Sequence, residues 1–275
     1  MSAVQLKLVE LLNSINVSDV GDKTRVTSNV DMMSDKLVKQ YAHVFEGVGK
    51  LKGYKVKLHI DNDVKPTAQK HRRIPFHRRK AVETELNRQI DNDIIEPATG
   101  PTPWVSQIVT VPKKDPNAIR ICADMRLPNQ AILRERHVTP TNDELIHDLN
   151  GAAIFSKLDL NAGYHQLELH EDSRYITTFS THMGLYRYKR LPFGISCAAE
   201  IFQNTIEQVI AGVPGTRNIS DDIIVFGKNQ SEHDKNLSDT FKRISDNGLT
   251  LNKTKCVFNK TRLEYNMVTY IPPKV

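Results

Sequence analysis

The stretch NISDDIIVFG, residues 218–227, is the most informative part of the sequence, because it places two adjacent carboxylates, Asp221 and Asp222, directly before a β-branched apolar run. A turn containing proline and glycine precedes it, at residues 214–215. Neighbouring side chains of a regular strand point to opposite faces, so two such carboxylates can serve one site only where the backbone turns sharply. The stretch therefore predicts the tip of a β-hairpin that presents both aspartates to a metal ion.

A third carboxylate must come from elsewhere in the chain, and the best candidate is Asp159. It lies in the apolar, partly alternating run 154–160, which predicts a buried strand. Carboxylate oxygens are the ligands that hard divalent cations prefer. Together the three acids predict a divalent-metal site for phosphoryl transfer.

The charge distribution favours a polyanionic partner. The 275 residues carry a formal net charge of +6, which alone decides little. Residues 65–80, however, contain seven lysines and arginines and no acid, which is typical of a surface that contacts a phosphate backbone. A solvated face or a localisation signal remains an alternative for this stretch.

Other composition features predict an intracellular protein, cytoplasmic or nuclear, that is neither secreted nor embedded in a membrane. The three cysteines are far apart and lack zinc-ligand spacing, which favours reduced thiols in the core. No apolar segment approaches the roughly 20 residues that span a bilayer. The first 17 residues lack the basic start of a signal peptide.

Apolar periodicity and turn residues predict an α+β fold in which an antiparallel sheet carries the acids and helices cover its back. The predicted helices are Arg78–Ile90, Asn142–Leu149, Ala198–Ile210 and Glu232–Asp246, the last begun by Ser231. The predicted hairpins pair Thr102–Pro112 with Ile119–Ala123, and Tyr175–Ser180 with Leu185–Lys189.

Several segments, read together, resemble the reverse transcriptase of gypsy-type LTR retrotransposons, which are relatives of retroviral polymerases. In chain order they are PTPWVS (101–106), VPKKD (111–115), FSKLDLNAGYHQ (155–166), YRYKRLPFG (186–194), DD (221–222) and GLTLN (248–252). Each motif is weak alone, but the ordered set is highly specific. The resemblance implies a Pol polyprotein fragment with the fingers and palm of a right-hand polymerase and the thumb missing.

The resemblance also implies a division of the chain. Residues 1–35 would be an N-terminal linker or adaptor, residues 36–100 an N-terminal fingers segment, and residues 101–260 the fingers and palm core. Residues 261–275 would be a degenerate or truncated primer-grip region, since the glycine expected there is missing.

By the same resemblance, Asp159, Asp221 and Asp222 are the catalytic and metal-binding acids. Two Mg²⁺ ions are expected, with Mn²⁺ as a possible substitute, about 3.5 to 4 Å apart as in other two-metal sites. The implied nucleotide-binding residues are Lys113 and Arg120 on the triphosphate, Tyr164 beneath the sugar, and Phe193 with Gly194 lining the pocket.

The resemblance implies an RNA-directed DNA polymerase that extends a primer on an RNA or DNA template with deoxynucleoside triphosphates, weakly because it is truncated. An alternative is an inactive nucleic-acid-binding relic, favoured by Ile219, where the family usually has tyrosine. A third possibility, a palm polymerase that copies RNA into RNA, is disfavoured by Tyr164. The sequence does not indicate whether the chain dimerises.

Overall fold

The computed structural model describes residues 27–112, 118–135, 147–219, 221–265 and 268–270. Its central element is a four-stranded antiparallel sheet with the strand order β11-β12-β7-β13. These strands are β7 (Ile154–Asp159), β11 (Thr216–Ile219), β12 (Asp222–Gly227) and β13 (Val257–Lys260). The predicted acid-bearing sheet is confirmed, and we call it the palm sheet.

Two long helices pack beside the palm sheet, namely α5 (Ala198–Ile210) and α6 (Gln230–Asp246). The apolar side of α5 is buried as its helical spacing predicts. The cap of α6 differs from the prediction, because Asn229 rather than Ser231 accepts the hydrogen bond from the backbone N–H of Glu232 at 3.0 Å. An asparagine in an extended conformation suits this capping position.

One part of the structure combines a helix with a β-hairpin. Its helix is α2 (Phe76–Asp91), and its strands β4 (Ile108–Pro112) and β5 (Ile119–Ala123) pair antiparallel. Val82 and Leu86 of α2 are fully buried. The predicted hairpin is confirmed, but its first strand begins at Ile108, since residues 102–107 contact other segments through an irregular backbone.

A second, three-stranded antiparallel sheet has the order β3-β10-β9. It contains β3 (Ile95–Pro97), β9 (Phe179–Thr181) and β10 (Gly184–Tyr188). The predicted hairpin is confirmed with a shorter first strand, because residues 175–177 form a 3₁₀ turn. The remaining described elements are α1 (Thr27–Gln40), β1 (Lys55–Val56), β2 (His59–Ile60), α3 (Pro128–Ala131), β6 (Ile132–Leu133), β8 (Glu168–Leu169), α4 (Glu171–Arg174), β14 (Leu263–Tyr265), β15 (Val268–Tyr270) and 3₁₀ turns at Ala42–Phe45 and Gly163–Gln166.

Charged side chains next to this second sheet form an ion network. Arg174, whose side chain is 8% exposed, lies 3.0 Å from Glu168 and 3.4 Å from Glu96. Lys50 lies 2.8 Å from Glu168, and Lys189 pairs with Asp93. The network also includes Lys55, Glu171, Arg187 and Arg190. It ties the segment before β1 to the second sheet.

The region predicted as a degenerate primer grip contains a short antiparallel hairpin. Leu263 pairs with Tyr270, and Tyr265 pairs with Val268. A hairpin therefore forms there without the expected glycine. The predicted helix 142–149 lies mostly outside the described residues, as does the linker up to residue 26.

Candidate active site

The palm sheet brings the predicted acids to one end. Asp159, the last residue of β7, is the direct cross-strand partner of Asp222, the first residue of β12. Asp221 lies in the turn before β12, and its carbonyl accepts a hydrogen bond from the N–H of Leu160 at 3.3 Å. Directly opposed residues of antiparallel strands have Cβ atoms about 4.5 to 5.5 Å apart. We call Asp159, Asp221 and Asp222 the acid cluster.

The hairpin that carries Asp221 and Asp222 is fixed by the core. Ile223, Ile224 and Val225 are fully buried, which sets the register of β12 against β7. On the outer strand, Asn218 exchanges two hydrogen bonds with Gln203 of α5, with lengths of 2.8 and 3.3 Å. The turn is therefore anchored on both sides.

Two of the acids resist ionisation. Burial, followed by the negative charges of Asp222 and Asp159, raises the pKa of Asp221. Burial also raises the pKa of Asp222, against the opposing effect of Lys157. Mutual repulsion between carboxylates has this direction, since each charge disfavours the next. The acid cluster thus carries negative charge that its surroundings only partly neutralise.

The chemistry of these donors fits a hard divalent cation, because all three are carboxylates and a cation would relieve their repulsion. Among the described residues, however, no group of three or more His, Cys, Asp or Glu side chains is gathered closely enough to hold a metal ion. Two lysines instead contact the cluster. Lys157 Nζ lies 3.2 Å from Asp222 Oδ2, and Lys255 Nζ lies 3.2 Å from Asp159 Oδ2.

Aromatic side chains lie next to the acids. The Tyr164 ring is 4.9 Å from Phe193 and 5.1 Å from Phe202, measured between centroids. Burial and the charge of Asp221 raise the pKa of the Tyr164 phenol, which places this ring within electrostatic reach of the acid cluster. Tyr164 is half-buried on a 3₁₀ turn, not on a strand. We call Tyr164, His165, Phe193 and Phe202 the aromatic cluster.

Close packing explains the glycine before Tyr164. A Cβ atom on Gly163 would lie 2.8 Å from the ring of Phe202, which is nearer than side chains pack. The adjacent Ala162 adopts the left-handed conformation, with φ of 50°. His165 contacts Phe193 at 5.4 Å between ring centroids, and burial lowers its pKa to about 4. His165 is therefore neutral at physiological pH and packs as a structural ring.

The turn at Phe193 and Gly194 presents an exposed ring. Phe193 is 44% exposed, so it is not an ordinary core residue. Gly194 has φ of 95°, a conformation that favours glycine. The side chain of Asn129 holds this turn by donating to the Gly194 carbonyl at 2.8 Å and accepting from the Ser196 N–H at 2.9 Å. Sequence reasoning missed Asn129, and no local pattern marked it.

The residues predicted to contact the triphosphate are only partly described. Arg120 is exposed on β5, opposite Val111, while Lys113 lies outside the described residues. Asp124 and Arg126 form a local ion pair with hydrogen bonds of 2.9 and 2.6 Å. The structure thus leaves the assignment of Lys113 and Arg120 to the triphosphate as a prediction.

The basic stretch 65–80 forms a solvent-facing surface. Lys65, Lys70, Arg72 and Arg73 are exposed. A cleft between α2 and the β4–β5 hairpin is lined by His77, Arg78, Lys80, Ala81, Thr84, Pro112 and Ile119. Three of these side chains can carry positive charge. We call this region the basic surface.

Comparison with known proteins finds one matching family model and longer proteins of similar sequence. Residues 111–270 match the family model described as reverse transcriptase (RNA-dependent DNA polymerase). An uncharacterized protein of Caenorhabditis elegans is 30% identical over 231 residues, which is 83% of this chain and 17% of that protein. The Pol polyprotein from the Drosophila melanogaster transposon 412 is 34% identical over 181 residues, or 63% of this chain and 14% of the relative. The chain therefore spans about a sixth of the length of these relatives.

Solved structures show the same fold. A foamy viral protease-reverse transcriptase, determined in complex with double-stranded DNA, superposes with a TM-score of 0.79 at 20% identity, over 98% of this chain and 46% of the viral one. The native prototype foamy virus enzyme gives a TM-score of 0.81 at 17% identity, over 99% of this chain and 36% of the viral one.

Each helix that the structure describes is too short or too polar to serve as a membrane span.

Proposed function

Because this chain belongs to the reverse transcriptase family, we propose that it is an RNA-directed DNA polymerase that adds deoxynucleotides to a primer 3′ end. The observation that carries the proposal is the pairing of Asp159 with Asp222 at the end of the palm sheet, beside the turn of Asp221. Nucleotide addition needs concentrated negative charge that can hold cations next to a sugar-binding surface. The acid cluster and the aromatic cluster supply these two parts side by side.

In this proposal the acid cluster holds two divalent cations, Mg²⁺ or its substitute Mn²⁺. When bound, such ions activate a hydroxyl nucleophile and neutralise charge on a triphosphate. The protein's own contribution is to fix the carboxylates. The buried run 223–225 sets the position of Asp222, and β7 sets that of Asp159. Preorganised charge of this kind needs little rearrangement during reaction.

The aromatic cluster would bind the sugar of the incoming nucleotide. Phe202 and Phe193 hold the Tyr164 ring from two sides, at 5.1 and 4.9 Å, so the ring cannot move aside easily. A fixed bulky ring beneath the sugar excludes a ribose 2′-hydroxyl by contact and so favours deoxynucleotides. Asn129 supports the pocket by holding the turn at Gly194.

Cationic side chains of the fingers would bind phosphates. Arg120 and Lys113 are proposed to contact the triphosphate, since cations stabilise charge that develops on a transferring phosphoryl group. The basic surface would bind the template backbone, and the foamy viral relatives were determined with double-stranded DNA and with an RNA/DNA hybrid. Phosphate contacts of this kind weaken with salt.

A nucleic-acid-binding protein without polymerase activity is the second candidate. Ile219 supports it, because this side chain packs against the small cluster of Leu149, Phe155 and Ile224 and does not offer the hydroxyl of the family's usual tyrosine. The lysine contacts to Asp159 and Asp222 support it as well. Both candidates predict salt-dependent binding of nucleic acid, so binding alone does not distinguish them.

Primer extension distinguishes the two candidates. The purified chain should extend oligo-dT on poly-rA with Mg²⁺, and Asp159→Asn should abolish the extension. Asp239→Asn is the matched control, since Asp239 is exposed on α6 and lies outside the acid cluster. Equal extension by wild type and Asp159→Asn would refute the polymerase assignment, and binding without extension would favour the second candidate.

A further inference from the structure

Two lysine side chains lie against the acid cluster, and each contacts a different carboxylate. Lys157 Nζ is 3.2 Å from Asp222 Oδ2, and Lys255 Nζ is 3.2 Å from Asp159 Oδ2. The carboxylates themselves are well covered, with side-chain exposures of 17% for Asp222 and 14% for Asp159. Each ammonium group therefore holds an oxygen atom that has little access to water.

The backbone fixes Lys157 in this place. Lys157 precedes Asp159 by two residues in β7, so their side chains share one face of the palm sheet. Asp222 is directly opposite Asp159, which makes it the diagonal neighbour of Lys157. Long side chains reach across such a diagonal. The contact follows from the strand register and not from a chance rotamer.

A tight turn fixes Lys255. The N–H of Asn252 donates to the Asp159 carbonyl at 2.8 Å, and the N–H of Lys255 donates to the Asn252 carbonyl at 3.0 Å. The side chain of Asn252 closes the turn by accepting from Thr254 Oγ1 at 2.8 Å. Lys255 is thus bound through the backbone to the residue whose carboxylate it contacts.

These contacts place positive charge where a cation would bind. A divalent cation takes the same carboxylate oxygens as ligands, and its charge repels an ammonium group a few ångströms away. We propose that Lys157 and Lys255 are resident counter-ions, which a divalent cation must displace from Asp222 and Asp159, so that these two lysines set the metal affinity of the protein. The inference rests on the proposed function, because it takes the acid cluster to be the cation site.

The lysine contacts change the charge balance of the acid cluster. Lys157 holds one oxygen of Asp222, and Lys255 holds one oxygen of Asp159. They also neutralise two of three negative charges, so the acid cluster is tolerated when no cation is bound. The protein therefore exchanges ammonium groups for divalent cations and does not hold an empty, fully repulsive site.

Titration with Mn²⁺, followed by the electron paramagnetic resonance signal of the free ion, tests the inference without any catalytic turnover. Lys157→Met and Lys255→Met keep the aliphatic stem and remove the charge, and each should tighten Mn²⁺ binding by about tenfold, given the strength of charge pairs near a protein surface. Lys157→Arg and Lys255→Arg keep the charge and should bind like wild type. Lys242→Met, on the exposed side of α6, is the control for net charge and should change the affinity less than twofold.

The outcomes separate this inference from the proposed function. Asp221→Asn removes a proposed ligand without removing a lysine contact, and it should weaken Mn²⁺ binding at least tenfold. If Asp221→Asn weakens binding while the Lys→Met variants match wild type, the counter-ion role is refuted and the metal site stands. If Asp221→Asn leaves Mn²⁺ binding unchanged, the proposed site itself is refuted. Lys255, whose side chain is 64% exposed, provides the test even if Lys157→Met fails to fold.

Discussion

The acid cluster and the ion network contain the same residue types in opposite electrostatic environments. In the acid cluster, burial and neighbouring carboxylates raise the pKa of Asp221. In the ion network, burial alone would raise the pKa of Glu168, but Lys50, Lys55 and Arg174 lower it. A hydrogen bond from Lys55 lowers the pKa of Glu171 to about 2.

The difference shows which charges serve stability. The ion network surrounds each acid with cations, so its charges hold two parts of the fold together. In the described part of the chain, two lysines contact the three carboxylates of the acid cluster, and repulsion between these carboxylates persists. Carboxylates whose pKa values are raised by burial and by neighbouring carboxylates mark a functional site more than a structural one. The comparison predicts that mutations in the two regions separate activity from stability.

The largest expected effect is on activity in the acid cluster. Asp221→Asn should lower the rate of primer extension by at least roughly 1000-fold, which corresponds to about 4 kcal/mol, because a ligand of the proposed cation site is lost. Its free energy of unfolding should stay the same or rise, since the variant removes a repelled carboxylate. Single-turnover extension and urea denaturation of the same preparation measure both quantities. A parallel loss of activity and stability would contradict the comparison.

The next effect is on stability in the ion network. Arg174→Met should lower the free energy of unfolding by about 1 to 3 kcal/mol, because it removes a covered guanidinium that pairs with Glu168 and Glu96, while Lys50 still contacts Glu168. Arg126→Ala is the matched control. Its side chain is 87% exposed where it pairs with Asp124, so its loss should leave the free energy of unfolding nearly unchanged. Urea denaturation of both variants measures the two changes. Equal losses in the free energy of unfolding would refute the difference between the covered and the exposed arginine.

A smaller effect is expected on sugar selection beside the acid cluster. Tyr164→Val removes the ring that Phe193 and Phe202 hold in place, so discrimination between dTTP and UTP should fall by about 10- to 100-fold. The ratio of kcat/KM for the two nucleotides measures this change. Tyr175→Phe, outside the aromatic cluster, serves as the control. An unchanged ratio in Tyr164→Val would remove Tyr164 from the sugar site.

The smallest expected effect is a pH dependence of opposite sign in the two regions. The folded-state pKa of Asp221 is raised above its unfolded value of about 3.9. Ionisation of this carboxyl therefore destabilises the fold as the pH rises from the unfolded pKa to the folded-state pKa. Asp221→Asn should therefore have a higher free energy of unfolding than wild type at pH 7, and this difference should vanish below about pH 4. Because the turn is exposed, the difference should stay under about 1 kcal/mol.

The ion network behaves in the other direction. The folded-state pKa of Glu171 is lowered to about 2, so its contribution is present at neutral pH and is lost as pH falls toward that value. Urea denaturation of wild type, Asp221→Asn and Glu171→Gln between pH 7 and pH 3 compares the two signs. The stability lost in Glu171→Gln relative to wild type should shrink as the pH falls. A loss that grew on acidification would contradict the lowered pKa of Glu171.

The sequence predicted most of the palm because its patterns are local. Asp159 directly follows one apolar run, and Asp222 directly precedes another. Helix α5 has the bounds that its apolar spacing predicts. The sequence predicted starts that were too early for the two strands that begin at Ile108 and Phe179. Apolar alternation continues before each strand into irregular backbone, whose N–H and carbonyl groups form hydrogen bonds with other segments. The cap at Asn229 was missed because Ser231 is an equally good capping residue.

Features that depend on distant segments could not be predicted in the same way. The ion network joins residues more than 100 positions apart, such as Lys50 and Glu168, and no spacing rule connects them. Asn129 holds the Gly194 turn across 65 positions. Lys157 is the exception, because its position two residues before Asp159 places both side chains on one face. That signal was present in the sequence and could have indicated the contact.

The acid cluster is proposed to be the cation site for primer extension. Anomalous diffraction from crystals of the chain with Mn²⁺, a template–primer and a deoxynucleoside triphosphate would locate the cations. Two Mn²⁺ peaks are expected in contact with carboxylate oxygens of Asp159 and Asp221. Peaks elsewhere, or none between these two side chains in crystals that contain the bound nucleotide, would contradict it.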